Sequence, residues 1–175
     1  DKFPMPSTEN GLYPLQKNDG DWVQGFWTGM LWLAYEYTGD DKYRTEAEKH
    51  IPTYIERIEN KLGVDHHDMG FLYTLSCVAA YKLTGNEEAK RAAILAADNL
   101  ISRYHKKGEF IQAWGELGKK ENYRLIIDCL LNIPLLFWAT EETGENKYAE
   151  IALRHYRTTA KNIVREDGTT YHTFY

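Results

Sequence analysis

Two acidic residues stand where chemistry could begin. Asp68 follows His66-His67 and opens the run Met69-Gly70-Phe71, while Asp128 sits between Leu125-Ile126-Ile127 and Cys129-Leu130-Leu131-Asn132. Paired carboxyl groups can share acid and base duties when their surroundings push their proton affinities apart. Asp68 is expected near a helix N-terminus beside two histidines, where positive partial charge favours its ionised form. Asp128 is set among aliphatic side chains, where desolvation and a nearby carboxylate raise a pKa. On that argument Asp128 is the protonated acid and Asp68 holds its position and charge. Asp is also a favoured helix N-cap, and spacing alone leaves that use open.

The elements that must bring the two acids together are repeated. Thr38-Gly39, Thr84-Gly85 and Thr143-Gly144 each follow an apolar helical run and precede a polar one, and residues four and eight beyond each Gly match: Tyr43 and Ala47, Ala89 and Ala93, Tyr148 and Ala152. Gly ends a helix at no steric cost, and Asp40 or Asn86 can cap the next. Each unit is therefore a helical hairpin. The first members, 22–37, 69–83 and 128–142, are apolar on most faces and expected to be buried on nearly all sides. The second members, 42–58, 87–104 and 147–164, carry one apolar stripe and belong outside. An inner ring wrapped by an outer ring is an α/α toroid or a helical solenoid. Aligned on Thr-Gly, Trp22, Asp68 and Asp128 fall together at the N-terminal ends of the inner helices, so parallel inner helices would converge the two acids on one mouth. Two carboxyl groups there suit acid and base work on a glycoside. Pro134 either kinks the third inner helix or marks its start.

Residues 1–20, with Pro4, Pro6 and Pro14, read as an extended lead-in, and 106–124 as a long connection holding a short strand pair. The chain stops at Thr169-Thr170-Tyr171-His172-Thr173-Phe174-Tyr175, in what reads as another inter-helix loop. Three hairpins make an open arc with an apolar face left over, so the expectation is one domain, 1–175, forming about half of a longer one.

With 175 residues, 43% of them hydrophobic and 27% charged, this is an ordinary globular composition. Its net charge of −5 argues against nucleic acid as a partner, though one local Arg or Lys suffices for a small anion. No apolar run is long enough to span a bilayer, and no signal pattern opens the chain. Cys77 and Cys129 are expected as buried free thiols, which leans towards a cytoplasmic protein. His66-His67-Asp68 could be read as metal ligands, but adjacent residues seldom converge on one ion, so neither metal nor cofactor is expected. One of the two histidines is expected to face the cleft. Of the tryptophans, Trp32 and Trp138 read as core, while Trp27 and Trp114 are better placed to stack on a sugar ring.

Asp21-Trp22, Gly25-Phe26-Trp27-Thr28-Gly29-Met30-Leu31-Trp32, His66-His67-Asp68-Met69-Gly70-Phe71, Ile127-Asp128-Cys129-Leu130, Asn132-Ile133-Pro134-Leu135-Leu136 and Tyr171-His172-Thr173-Phe174-Tyr175 appear in order along the chain. Together they resemble the unsaturated glucuronyl hydrolases, glycoside hydrolase family 88. The resemblance implies an all-α fold, an (α/α)6 barrel of six hairpins, with about three in this N-terminal half. It implies an enzyme acting on oligosaccharides from polysaccharide lyases, whose non-reducing end is a Δ4,5-unsaturated uronic acid, by hydration of the vinyl ether. It also makes Asp128 the acid and base, Asp68 the second essential carboxylate, and Trp27, His67, Trp114 and His172 cleft residues. The C-terminal half of the barrel would complete the site. The rival readings are an unsaturated rhamnogalacturonyl hydrolase acting on pectin fragments, against which His66-His67 counts, and a non-catalytic helical scaffold.

Overall fold

The computed structural model describes residues 2–17 and 20–175, so Asp1, Asn18 and Asp19 of the expected lead-in lie outside the described residues. The chain divides into two compact units: Asp1–Val64 with Phe71–Leu95, and Asp65–Gly70 with Ala96–Tyr175.

In the first unit the lead-in is a hairpin. Strands β1 (Lys2–Pro4) and β2 (Leu15–Lys17) pair antiparallel, Phe3 opposite Gln16. Phe3 is fully buried, and its ring stacks on His50 at 4.4 Å. Helix α1 (Gln24–Thr38) packs against residues 71–75 through Gly25 and Gly29: a Cβ at Gly25 would stand 2.0 Å from the Phe71 carbonyl oxygen, so only glycine allows the approach. The expectation that α1 is buried on nearly all sides does not hold. Among the described residues Phe26, Met30, Leu33 and Tyr37 leave much of their side chains exposed.

The expected outer helix 42–58 is two helices, α2 (Asp41–Glu48) and α3 (Ile51–Glu59). Pro52 has no amide hydrogen to continue a helix arriving from Glu48, and instead it begins the next one. Asp40 caps α2 through Lys42 N at 3.0 Å. The second inner element is also not a plain α-helix. Residues Gly70–Val78 form a π-helix, followed by α4 (Ala79–Thr84). The Ser76 hydroxyl donates back to the Leu72 carbonyl within it, a bond that bends helices. Helix α5 (Glu87–Ser102) runs from this unit into the other and buries its alanine stripe, Ala89, Ala92, Ala93, Ala96 and Ala97.

In the second unit, α5 leads to strand β3 (Tyr104–His105), paired with β4 (Phe110–Ile111); a strand pair was expected within 106–124, and its first strand instead lies before that stretch, where the outer helix was expected to end. Strand β5 (Leu125–Ile126) pairs with β6 (Thr173–Phe174), so the final segment is tied down and not a free loop. A 3-10 turn, Ile127–Leu131, carries Asp128, and helix α6 (Pro134–Thr143) begins at Pro134. The proline therefore marks a start. The expected helix 128–142 is shorter than its pattern, because Pro134 lacks the amide that would join the two pieces. Helix α7 (Lys147–Ile163) buries Tyr148, Ala152, His155, Thr159 and Ile163 along one stripe.

All three Thr-Gly turns form as expected. Gly39, Gly85 and Gly144 adopt φ of 66°, 73° and 74°, each amide donating to the carbonyl four residues earlier. Each preceding threonine repeats the motif: Thr38, Thr84 and Thr143 donate their hydroxyls to the carbonyls of Ala34, Ala80 and Ala139. Among the described residues no helix is long and apolar enough to cross a membrane, and Cys77 and Cys129 are free and buried.

Candidate active site

The two acids meet within the second unit. His67 lies between them, its Nε2 3.2 Å from Asp68 Oδ1 and 3.6 Å from Asp128 Oδ1, and these three atoms lie within 4.8 Å of one another. Main-chain contacts set the approach. Gly70, two residues after Asp68, touches Asn132, four after Asp128, and a Cβ on Gly70 would fall 2.4 Å from Asn132 Cα. The absence of that one carbon lets the two acid-bearing segments close on each other.

The capping use of the acids is not realised at Asp128. Helix α6 has Ile133 at its N-cap with no side-chain cap, and Asp128 Oδ1 is buried without a hydrogen-bond partner. Burial raises the Asp128 carboxyl above its ordinary range; His67 opposes this and the Asp68 charge adds to it. Burial acts on Asp68 in the same sense, but hydrogen bonds from His66 and His67 overcome it and hold that carboxyl well below the usual carboxylate range. The two carboxyl groups are shifted in the opposite directions expected, with the histidine pair holding Asp68 down in place of the expected helix terminus. His66 Nδ1 is 3.1 Å from Asp68 Oδ2 and 3.1 Å from the Asp68 amide. A proton on Nδ1 serves the carboxylate; without it the same atom accepts from the amide.

His67 Nε2, Asp68 Oδ1 and Asp128 Oδ1 are close enough to be considered as metal ligands. Nε2 also lies within hydrogen-bond reach of Asp68 Oδ1, so an ion there would have to displace any proton shared between the two.

The backbone behind this cluster is fixed by groups that the sequence did not single out. His67 N donates to Ala113 O at 2.7 Å, and His66 bridges to Trp114. Arg103, buried, donates to Gln112 O and Gly115 O at 3.0 Å each and pairs with Asp65, so one guanidinium ties both sides of that bridge. The Gln112 amide, also buried, donates to Trp114 O at 2.8 Å. A planar fork of donors suits such a role, and the only sequence signal was a charged residue near the end of an apolar stripe.

Of the expected cleft residues, the structure gathers Asp68, His67, Asp128, Trp114 and His172 in one unit. Trp114 is 44% exposed, its ring edge-on to His67 at 6.5 Å between centroids. His172 accepts the Ile127 amide on its carbonyl at 2.9 Å, and its imidazole is close enough to lower the Asp128 pKa. Trp27 belongs to the other unit, where its Nε1 donates to His50 Nε2 at 3.3 Å and its ring lines an apolar depression of about 720 Å³ with Tyr13 and Trp22. Trp32 and Trp138 are core, as expected.

A carboxyl raised by burial thus stands beside one lowered by two histidines, with an exposed indole edge-on to the histidine between them. The profile of Glycosyl Hydrolase Family 88 matches residues 1–174, and the chain belongs to that family. It is 54% identical over 173 residues to the unsaturated chondroitin disaccharide hydrolase of Streptococcus pneumoniae, covering 99% of this chain and 43% of that protein. It also superposes on the crystal structure of unsaturated glucuronyl hydrolase from Streptococcus agalactiae with a TM-score of 0.95 and 53% identity, over 99% of this chain and 44% of that one. A third match is the Bacillus sp. GL1 unsaturated glucuronyl hydrolase, described as responsible for the degradation of glycosaminoglycan, with a TM-score of 0.93 and 46% identity over 99% and 46%. The chain thus spans less than half the length of these relatives.

Proposed function

We propose that these residues form the N-terminal half, about three hairpins, of an (α/α)6-barrel catalytic domain. The enzyme would remove a Δ4,5-unsaturated uronic acid from the non-reducing end of lyase-made glycosaminoglycan oligosaccharides. The observation that carries this is the pair of carboxyl groups on one histidine, one with its pKa pushed up by burial and the other held down by two histidines. The exposed apolar face of α1 and the exposed Leu131 and Phe137 support a missing second half, since faces of that kind are normally covered.

In the proposed reaction Asp128 gives its proton to C4 of the vinyl ether, and positive charge develops at C5 and the ring oxygen. Water adds at C5 and returns a proton to the Asp128 carboxylate. The hemiketal then collapses: the bond from C5 to the ring oxygen breaks, C5 becomes a ketone, and the opened C1 hemiacetal releases the remaining sugar. Asp68 stays ionised, holds sugar hydroxyls and keeps a negative charge beside Asp128. His67 orients both acids, Trp114 stacks on the sugar, and His172 and Trp27 complete the contacts. Only water is consumed, so no cofactor is needed. The two unpaired thiols support a cytoplasmic setting.

The test is Asp128→Asn in the complete barrel, assayed by loss of the unsaturated uronate absorbance on chondroitin-type disaccharides. Turnover should fall by about a thousandfold or more with substrate binding kept. Normal turnover would refute the assignment of the acid.

A further inference from the structure

Beyond Trp114 the second unit carries a run of rings and cations that the acid pair does not use. The Arg124 guanidinium lies 5.2 Å from the Trp114 ring centroid and 5.7 Å from that of Tyr175. Its Nη2 donates to Glu121 O at 3.2 Å, its buried Nε has no acceptor, and among the described residues no carboxylate pairs with it. Arg124 also lines a depression of about 240 Å³ with Phe110, Tyr123 and Tyr175. That depression shares Gly108, Thr158 and Asn162 with another of about 450 Å³, whose cations are Lys106, Lys107, Arg157 and Lys161.

Four such cations in one place are unexpected on a chain of net charge −5. The acid that lines the larger depression, Glu109, is occupied by Arg154 at 2.8 Å, and none of the four cations has an ion-pair partner among the described residues. Arg157 and Lys161 stand one helical turn apart on α7, a spacing at which like charges repel. An anion lying across them would relieve that repulsion. Exposed rings present apolar faces to sugars, and guanidinium and ammonium groups bind carboxylate and sulfate oxygens.

We infer that the face from Trp114 through Arg124 to Lys106, Lys107, Arg157 and Lys161 is a binding track for an acidic oligosaccharide continuing beyond the sugar at the acid pair. The inference rests on the proposed reading of that pair, and it adds chain length and charge to what the protein selects. Sugar rings lie on the exposed Trp114 and Tyr175, and their anionic groups meet Arg124 and then the α7 cations.

The experiment compares an unsaturated disaccharide with the unsaturated tetrasaccharide of the same sulfated series, using the complete barrel and its double variant Arg157→Glu/Lys161→Glu. The native protein should show the higher kcat/KM on the tetrasaccharide. The double variant should lose roughly tenfold of that advantage, through KM, with disaccharide kinetics unchanged. Raising the salt should shrink the native advantage in the same way. Equal kcat/KM for both lengths in the native protein, or a length ratio unmoved by the variant, would overturn the track. If neither sugar is turned over, the reading of the acid pair fails by itself. Calorimetric binding of the tetrasaccharide, weakened or not by the double variant, then still decides for or against the track.

Discussion

At the residue scale, the proposed reaction depends on two carboxyl groups of like type being kept in opposite states. Asp128 must carry a proton, so turnover should fall as pH rises through its raised pKa. Asp68 must be ionised, so turnover should also fall as pH drops through its lowered pKa. The kcat/KM profile is therefore a bell whose alkaline limb lies above the ordinary carboxylate range. Substituting His66→Ala removes a hydrogen bond from Asp68, and the acid limb should move up in pH while the alkaline limb stays nearly in place. Measured profiles of the two proteins check this, and an unmoved acid limb would mean that His66 does not hold Asp68 down. The opposed pKa directions were legible in the sequence because aliphatic neighbours surround only Asp128. The cause at Asp68 was less legible: two histidines wrap one carboxylate through the fold of the 65–70 loop, which no spacing rule describes.

At the element scale, glycine positions set how near the acid-bearing segments can come. Gly70→Ala puts a methyl group into the Asn132 backbone, so the segments must part. The expected cost is about 1–3 kcal/mol in stability, read by denaturant titration, together with a fall in kcat from the wider separation of the acids. Helix α7 contributes a second, separate test. Burial lowers the His155 pKa to about 3, and its Nδ1 accepts the Ile111 amide at 3.1 Å. A depressed folded pKa means that stability present above the unfolded value, about 6.5, drains away as pH falls towards 3. His155→Gln should be less stable at neutral pH but show a flatter decline over that window in urea melts at stepped pH. The Thr-Gly helix ends were readable, since a left-handed C-terminal residue has a strong glycine signature. The break before Pro52 was visible in principle, but the apolar stripe from Tyr43 to Ile58 continues across it and masked the missing amide. Nothing local announces the π-helix at Gly70–Val78, because its hydrogen-bond register is decided by what packs against it.

At the scale of the whole molecule, the hairpin order, the burial stripes of α5 and α7 and the family are all written in the pattern. Trp27 shows where pattern reading thins out: a ring five residues into a helix was expected to stack on a sugar, and the spacing gave no sign of its contacts with His50 and the lead-in hairpin. Burial against partners distant in sequence is not encoded in spacing. Under the proposed half-barrel, residues 1–175 expressed alone expose Met30, Leu33 and Tyr37 on one helix face, and should self-associate in size-exclusion chromatography and lack turnover. A monomeric, active fragment would count against that part of the proposal. The central claim is that Asp128 protonates C4 so that water adds at C5, and isotope placement reads it directly. Turnover by the complete barrel in deuterated, heavy-oxygen water should place deuterium at C4 and the heavy oxygen at C5 of the released uronate. Heavy oxygen at C1 with no deuterium at C4 would instead mean direct attack on the glycosidic carbon and would contradict the account.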